Sequence, residues 1–140
     1  MANVAPSIKR VPGQGGLDGY QVVWASMHNG DVGLPVGSAI GDGASAQPPT
    51  GGGFLSGFAD KSIEVTGTFG ASGTIVGEGS VDGGVNYFVL STPTGANISF
   101  AAAGLLAITE AVIWLRPRVT NGDGTTALTV SMFFRKTQTP

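Results

Sequence analysis

Residues 61–69, KSIEVTGTF, alternate with a period of two: Ile63, Val65 and Phe69 point one way, and Ser62, Glu64, Thr66 and Thr68 the other. A helix repeats its faces every 3.6 residues, so this pattern suits only a strand with one face buried. Similar segments recur downstream about every 8–15 residues, separated by turns rich in Gly and Asp. They are TIVGEGSV, VNYFVLS, the short NISF, a strand from about Ala111 to Thr120, and TALTVSMFFRK. In the last, Leu128, Val130, Met132 and Phe134 share one face. This recurrence predicts an all-β chain: a single-domain antiparallel β-sandwich or jelly-roll-like barrel.

Upstream, YQVVWASMH (20–28) reads as a strand with Tyr20, Val22, Trp24, Ser26 and His28 on one face and Gln21, Val23, Ala25 and Met27 on the other. Both faces are largely apolar, which predicts burial on both sides or a place beneath a subunit contact. Residues 1–19 read as an extended N-terminal arm, since VPGQGGLDG combines a proline with four glycines. The sandwich domain then spans 20–136, with a Gly/Pro-rich loop at 30–59 and a tail at 137–140. Short strands fit around Val32 to Ile40. Pro48-Pro49 removes two backbone donors and Gly51 to Gly53 favour no one conformation. AAAGLLAITEA (101–111) has the best helix propensity, but it is short and broken by Gly104, leaving room for one helical turn at most.

Only 11% of the 140 residues are charged, against a usual share of about 25%. The surface must therefore be built from Gly, Ser, Thr, Asn and Ala, which can be buried against a partner with little charge desolvation. Net charge is −2, and the basic residues form separate pairs, so a nucleic-acid interface is not expected. There is no cysteine, hence no disulfide or thiolate metal site. No window has the ~18 apolar residues of a membrane helix, and the first residues lack a signal-peptide stretch. Synthesis in the cytoplasm without a secretory signal is expected.

Candidate chemistry is thin. The glycines of VGEGSVDGG can suggest a phosphate cradle, but an alternating strand follows them where a helix N-terminus is needed. Asp-Gly instead suits a tight hairpin. Asp82 and Asp123 lie in loops without the spacing of a calcium loop, although two remote loops can share an ion. His28, the only histidine, has no nucleophile-elbow motif beside it. Glu64, Glu78 and Glu110 are the acids available for a hydrolytic pair. Trp24, Tyr87 and Trp114 can stack on sugar rings, but each lies in an apolar strand where packing is the commoner fate. No catalytic, cofactor-binding or metal-ligating set is expected. Pro117 cannot donate to a sheet, so Arg116-Pro117-Arg118 predicts an edge or bulged strand, its arginines guarding the edge or meeting a neighbour's carboxylates.

The strings GEGSVDGGVNYFVLSTPTGANISFAAAG and LRPRVTNGDGTTALTVSMFFRK, within about residues 60–136, resemble a β-rich pattern in small structural proteins of tailed bacteriophages, similar to capsid decoration (cement) proteins. The resemblance implies a homo-oligomer, a trimer foremost, on the outside of assembled major capsid protein. It implies residence on the virion and no enzymatic activity. Bridging by arms and apolar edges would stabilise contacts between capsomers. The residues themselves offer Lys9, Arg10, Pro48, Pro49, Phe54, Phe58, Trp114, Arg116 and Arg118 as interface candidates. A tail or baseplate component, or a carbohydrate-binding β-sandwich module, remains open as an alternative.

Overall fold

The structure, a computed structural model, describes residues 2–11, 19–37, 60–82, 85–110, 112 and 114–135. Among these, every regular element is a strand, and there is no helix that could cross a membrane. One sheet is built from β1 (Asn3–Val4), β4 (Val32–Gly33), β5 (Val36–Gly37), β7 (Thr74–Ser80), β8 (Phe88–Val89), β9 (Ser99–Phe100) and β11 (Trp114–Asn121). The other runs β10-β6-β12-β3-β2, comprising β2 (Ser7–Val11), β3 (Gly19–Met27), β6 (Asp60–Thr68), β10 (Gly104–Ile108) and β12 (Ala127–Arg135). All described pairings are antiparallel except β1 with β4. The architecture is a β-sandwich, not a closed barrel.

The alternating segments supply the core as their period requires. Ile63 and Val65 of β6 and Leu128, Val130, Met132 and Phe134 of β12 meet Ile75 of β7 and Leu115 and Val119 of β11 between the sheets. The Gly-Glu-Gly of β7 also finds its explanation here. Gly77 and Gly79 face inward, where an added Cβ would lie 2.8 Å from Ile98 in one case and 2.8 Å from Leu90 in the other. Bare backbone lets those side chains approach, and Glu78 between them faces out. The glycines serve inter-sheet packing, not a phosphate.

Several expectations need correction. The arm at 1–19 contributes β1 and β2 to the two sheets, and 12–18 lie outside the described residues. β3 is not buried on both faces within this chain: Val22, Trp24 and Met27 enter the core, while Ala25 and Ser26 are exposed. Ser26 has a φ of 57°, and the β3–β12 register slips there. This bulge inserts one residue and turns Met27 to the side of Trp24. Residues 101–110 hold no helix, within the limit of one turn at most, and Gly104–Ile108 is an edge strand pairing with β6. Tertiary pairing overrides weak helix propensity in so short a segment. β7 and β8 pair antiparallel, but residues 81–87 connect them, so the turn is wider than the tight one expected.

Of the edge or bulge expected at Arg116-Pro117-Arg118, the edge is overturned, while β11 carries a register shift nearby, between Val119 and Asn121. β11 lies inside its sheet, between β7 and the pair β4 and β5. Pro117 pairs with Gly77 on one side. On the other, Val119 N donates to Asp31 O, so the position of the missing Pro117 donor points the same way, two residues along. There the neighbouring strand is interrupted between β4 and β5. The proline ring packs on Gly33, where a Cβ would lie 2.5 Å from Pro117 Cδ.

Candidate functional site

The outer face of β7 and β11 carries a charged cluster. Period two puts Glu78 beside Arg116 in the β7–β11 register, with Arg118 two residues further on. Arg116 Nε donates to Glu78 Oε1 at 3.0 Å, and Arg118 Nε to Oε2 at 2.9 Å. Arg118 Nη2 also reaches Oε2, at 2.8 Å. Glu78 is only 3% exposed, while both arginines extend to solvent. The hydrogen bond to Glu78 holds the Arg118 guanidinium above its ordinary pKa. The Arg116 guanidinium lies 3.7 Å from the centroid of the Tyr87 ring, a cation–π contact that joins the connecting loop to the cluster.

That loop is organised by Asp82. Its Oδ1 accepts hydrogen bonds from Ser80 Oγ at 2.7 Å, Asn86 N at 3.0 Å and Val85 N at 3.1 Å. Its Oδ2 accepts from Asn86 Nδ2 at 2.8 Å. The Asn86 backbone bond, followed by those from Ser80 and the Asn86 side chain, brings the carboxyl pKa down to about 2. Apolar side chains stand outward around this polar knot. Val81, Val85 and Phe88 are 66%, 77% and 73% exposed, and Val89 is partly open beside them. With Leu105 on the other sheet, these are the large exposed apolar side chains among the described residues.

The interface candidates separate. Arg116 and Arg118 come together, but on an internal carboxylate. Trp114 shares their face yet is 1% exposed, and its indole Nε1 has no hydrogen-bond partner among the described residues. It is covered within this chain, so as folded it is not a contact surface. Lys9 is exposed on edge strand β2. Arg10 pairs through its backbone with Tyr20, and its side chain is outside the described set. Pro48, Pro49, Phe54 and Phe58 lie outside the described residues.

The alternative chemistries are dispersed. His28 Nδ1 is 3.5 Å from Asp31 Oδ2, which also accepts the His28 N–H at 2.8 Å. Asp31 Oδ1 accepts from Ala2 N at 3.2 Å, so the carboxylate ties β1 to the β3–β4 turn. Glu64 and Glu78 lie on the outer faces of opposite sheets, and Glu110 binds the Ser91 amide. Asp82 and Asp123 sit beyond opposite ends of β7, too far apart to share an ion, and no group of three metal-ligating side chains occurs among the described residues. Trp24 is buried, with Nε1 donating to Leu34 O at 3.0 Å.

Glu78, Tyr87 and the exposed side chains of the 81–89 hairpin were not among the interface candidates. A single acid inside an otherwise small or apolar strand is the signal that Glu78 left in the sequence. Two arginines two residues apart on one strand face were its complement. Val85 and Phe88 left no such signal, because an apolar strand predicts burial. Compared with known proteins, the chain matches no family model, no curated protein and no solved structure.

Proposed function

We propose that this chain is a non-catalytic structural subunit, and specifically a decoration protein seated on the outside of an assembled tailed-phage capsid. The observation that carries a docking role is the concentration of Val81, Val85, Phe88 and Val89 on one hairpin. Asp82 braces the turn from within and the Glu78–Arg116–Tyr87 cluster supports its root. A braced apolar tip loses little conformational entropy on docking, so more of its burial appears as affinity. Contact with a site present only on assembled capsid protein would stabilise that assembly by mass action. The virion setting and a trimeric state rest on the sequence resemblance at 60–136.

Sedimentation with undecorated, expanded phage capsids tests this. The expected result is saturable co-sedimentation at a symmetric stoichiometry, strongly weakened by Val85→Ser with Phe88→Ser. Both side chains are exposed, so this variant keeps its fold. Absence of co-sedimentation by the folded protein would overturn the capsid role and point to tail or baseplate assembly. Binding that the double variant leaves intact would move the contact away from the hairpin.

A further inference from the structure

On the opposite side of the sandwich, the outer face of the five-stranded sheet is rich in small polar side chains. The pairing register places Gln21, Phe133 and Ser62 in one row across β3, β12 and β6. The next row holds Ser131, Glu64 and Leu105. An open trough of about 350 Å³ runs over both rows, within the range of about 300–1,000 Å³ usual for small-ligand sites. A second, of about 410 Å³, adjoins it across Ser62 and Phe133 and ends on the exposed Asp60–Arg135 pair.

We infer that the first trough binds a neutral, hydroxyl-rich saccharide. Two features favour that chemistry. Phe133, partly exposed on this face, pairs with Gln21 and reaches along β3 to Gly19, where an added Cβ would lie 2.5 Å from its Cζ. A partly exposed aromatic ring on a sheet face offers a platform for the C–H face of a sugar ring. Around it, the side chains of Gln21, Ser62, Glu64 and Ser131 make no hydrogen bond to the protein among the described residues, unlike the self-satisfied groups of the hairpin. Amide, hydroxyl and carboxylate together supply donors and acceptors for vicinal hydroxyls. Among the described residues lining this trough Glu64 is the one charged side chain, and exposed Lys9 stands beside Gln21 in the same row, so neither sign of charge dominates and a neutral ligand is favoured. The site is independent of the capsid reading, since it lies on the other sheet.

The test is an amide NMR titration of the full chain with cellohexaose, maltohexaose and chitohexaose, and with sialyllactose as an anionic control. The expected result is a saturable shift of the Gln21, Ser62, Leu105 and Ser131 amides with at least one neutral hexaose and none with sialyllactose. Phe133→Leu keeps an apolar cover over Gly19 but loses the flat ring, and should weaken binding about tenfold. Glu64→Ala, at an exposed position, should weaken it about fivefold. The inference falls if no neutral hexaose gives saturable shifts, or if both variants bind like the parent. Shifts of these amides that depend on protein concentration without sugar would also overturn it, and would mark the face as a contact between copies of the chain.

Discussion

Two Asp-Gly turns look alike in the sequence and differ in the folded chain. At SVDGG, every hydrogen-bond partner of the Asp82 carboxylate lies within four residues of it. At NGDG, Asp123 Oδ1 accepts from Thr125 N at 2.8 Å and Oγ1 at 2.6 Å, while Oδ2 accepts from Ala71 N, 52 residues away, at 2.8 Å. The buried Thr126 completes this clamp: its Oγ1 accepts from Asp123 N at 2.9 Å and donates to Phe69 O at 2.8 Å. One aspartate shapes its own loop and leaves that loop's apolar side chains in water. The other fastens the β6–β7 connection to the β11–β12 connection. Both carboxyls have pKa values down at about 2, so a depressed carboxylate does not tell a clamp between two connections from the support of a single loop. The sequence distance to its partners, and the company of exposed apolar groups, do.

The strongest test alters each turn separately and measures both stability and the proposed capsid binding. Phe88→Ser should weaken capsid binding by about 10- to 150-fold, the equivalent of ~1.5–3 kcal/mol for burying one Phe side chain. Its thermal midpoint should match the parent's. Thr126→Val should do the reverse. It leaves the Phe69 carbonyl and Asp123 amide unpaired, and denaturant unfolding should show a loss of about 1–3 kcal/mol with capsid binding unchanged. If Thr126→Val impairs capsid binding while the protein stays folded, the division of roles between the turns is wrong.

A smaller effect is expected at the hairpin root. Glu78→Gln removes the charge that both arginines share, and should destabilise by about 1–2 kcal/mol, less than for a fully buried pair because both guanidiniums reach solvent. Urea melts of the parent and the variant at low and high salt would check this. The difference should persist in salt, since the carboxylate itself is buried.

The smallest signal is the pH dependence. Both folded pKa values lie below the ordinary carboxylate value of 3.8. The stabilisation each aspartate gives is therefore complete above about pH 4 and lost as the pH falls through about 2. Amide spectra between those limits should report Asp82 at Val85 and Asn86, and Asp123 at Ala71 and Thr125. Protonating Asp82 should disturb only its own loop, whereas protonating Asp123 should spread to both connections it joins.

Much of the fold was legible because strand faces are a local property. The alternation in KSIEVTGTF placed Ile63 and Val65 inward, and that in TALTVSMFFRK placed Leu128, Val130, Met132 and Phe134 inward, as the structure has them. The same rule failed at β3, where one bulge residue after Trp24 reverses the faces and sends Met27 into the core. It failed again at VNYFVLS, where Leu90 enters the core but Val85, Phe88 and Val89 stand exposed on the hairpin. A strand is buried only where a second layer covers it, and no local pattern records that.

The candidate site was half legible. Arg116 and Arg118 stood out, and the sequence offered a carboxylate partner only as a class. The fold chose Glu78, 38 and 40 residues away, by pairing β7 with β11 in one register. Pro117 was read as the mark of an edge or a bulge, since it lacks a donor. The structure satisfies the same constraint differently, by interrupting the neighbouring strand between β4 and β5. Backbone period and turn chemistry are written in the sequence alone, and they determined an all-β sandwich, its principal core faces and its Asp-Gly turns. Tertiary structure alone decided which distant groups meet, which apolar residues stay in water, and which strand is central. Those outcomes depend on register and layer packing between segments dozens of residues apart, where one inserted residue changes the answer.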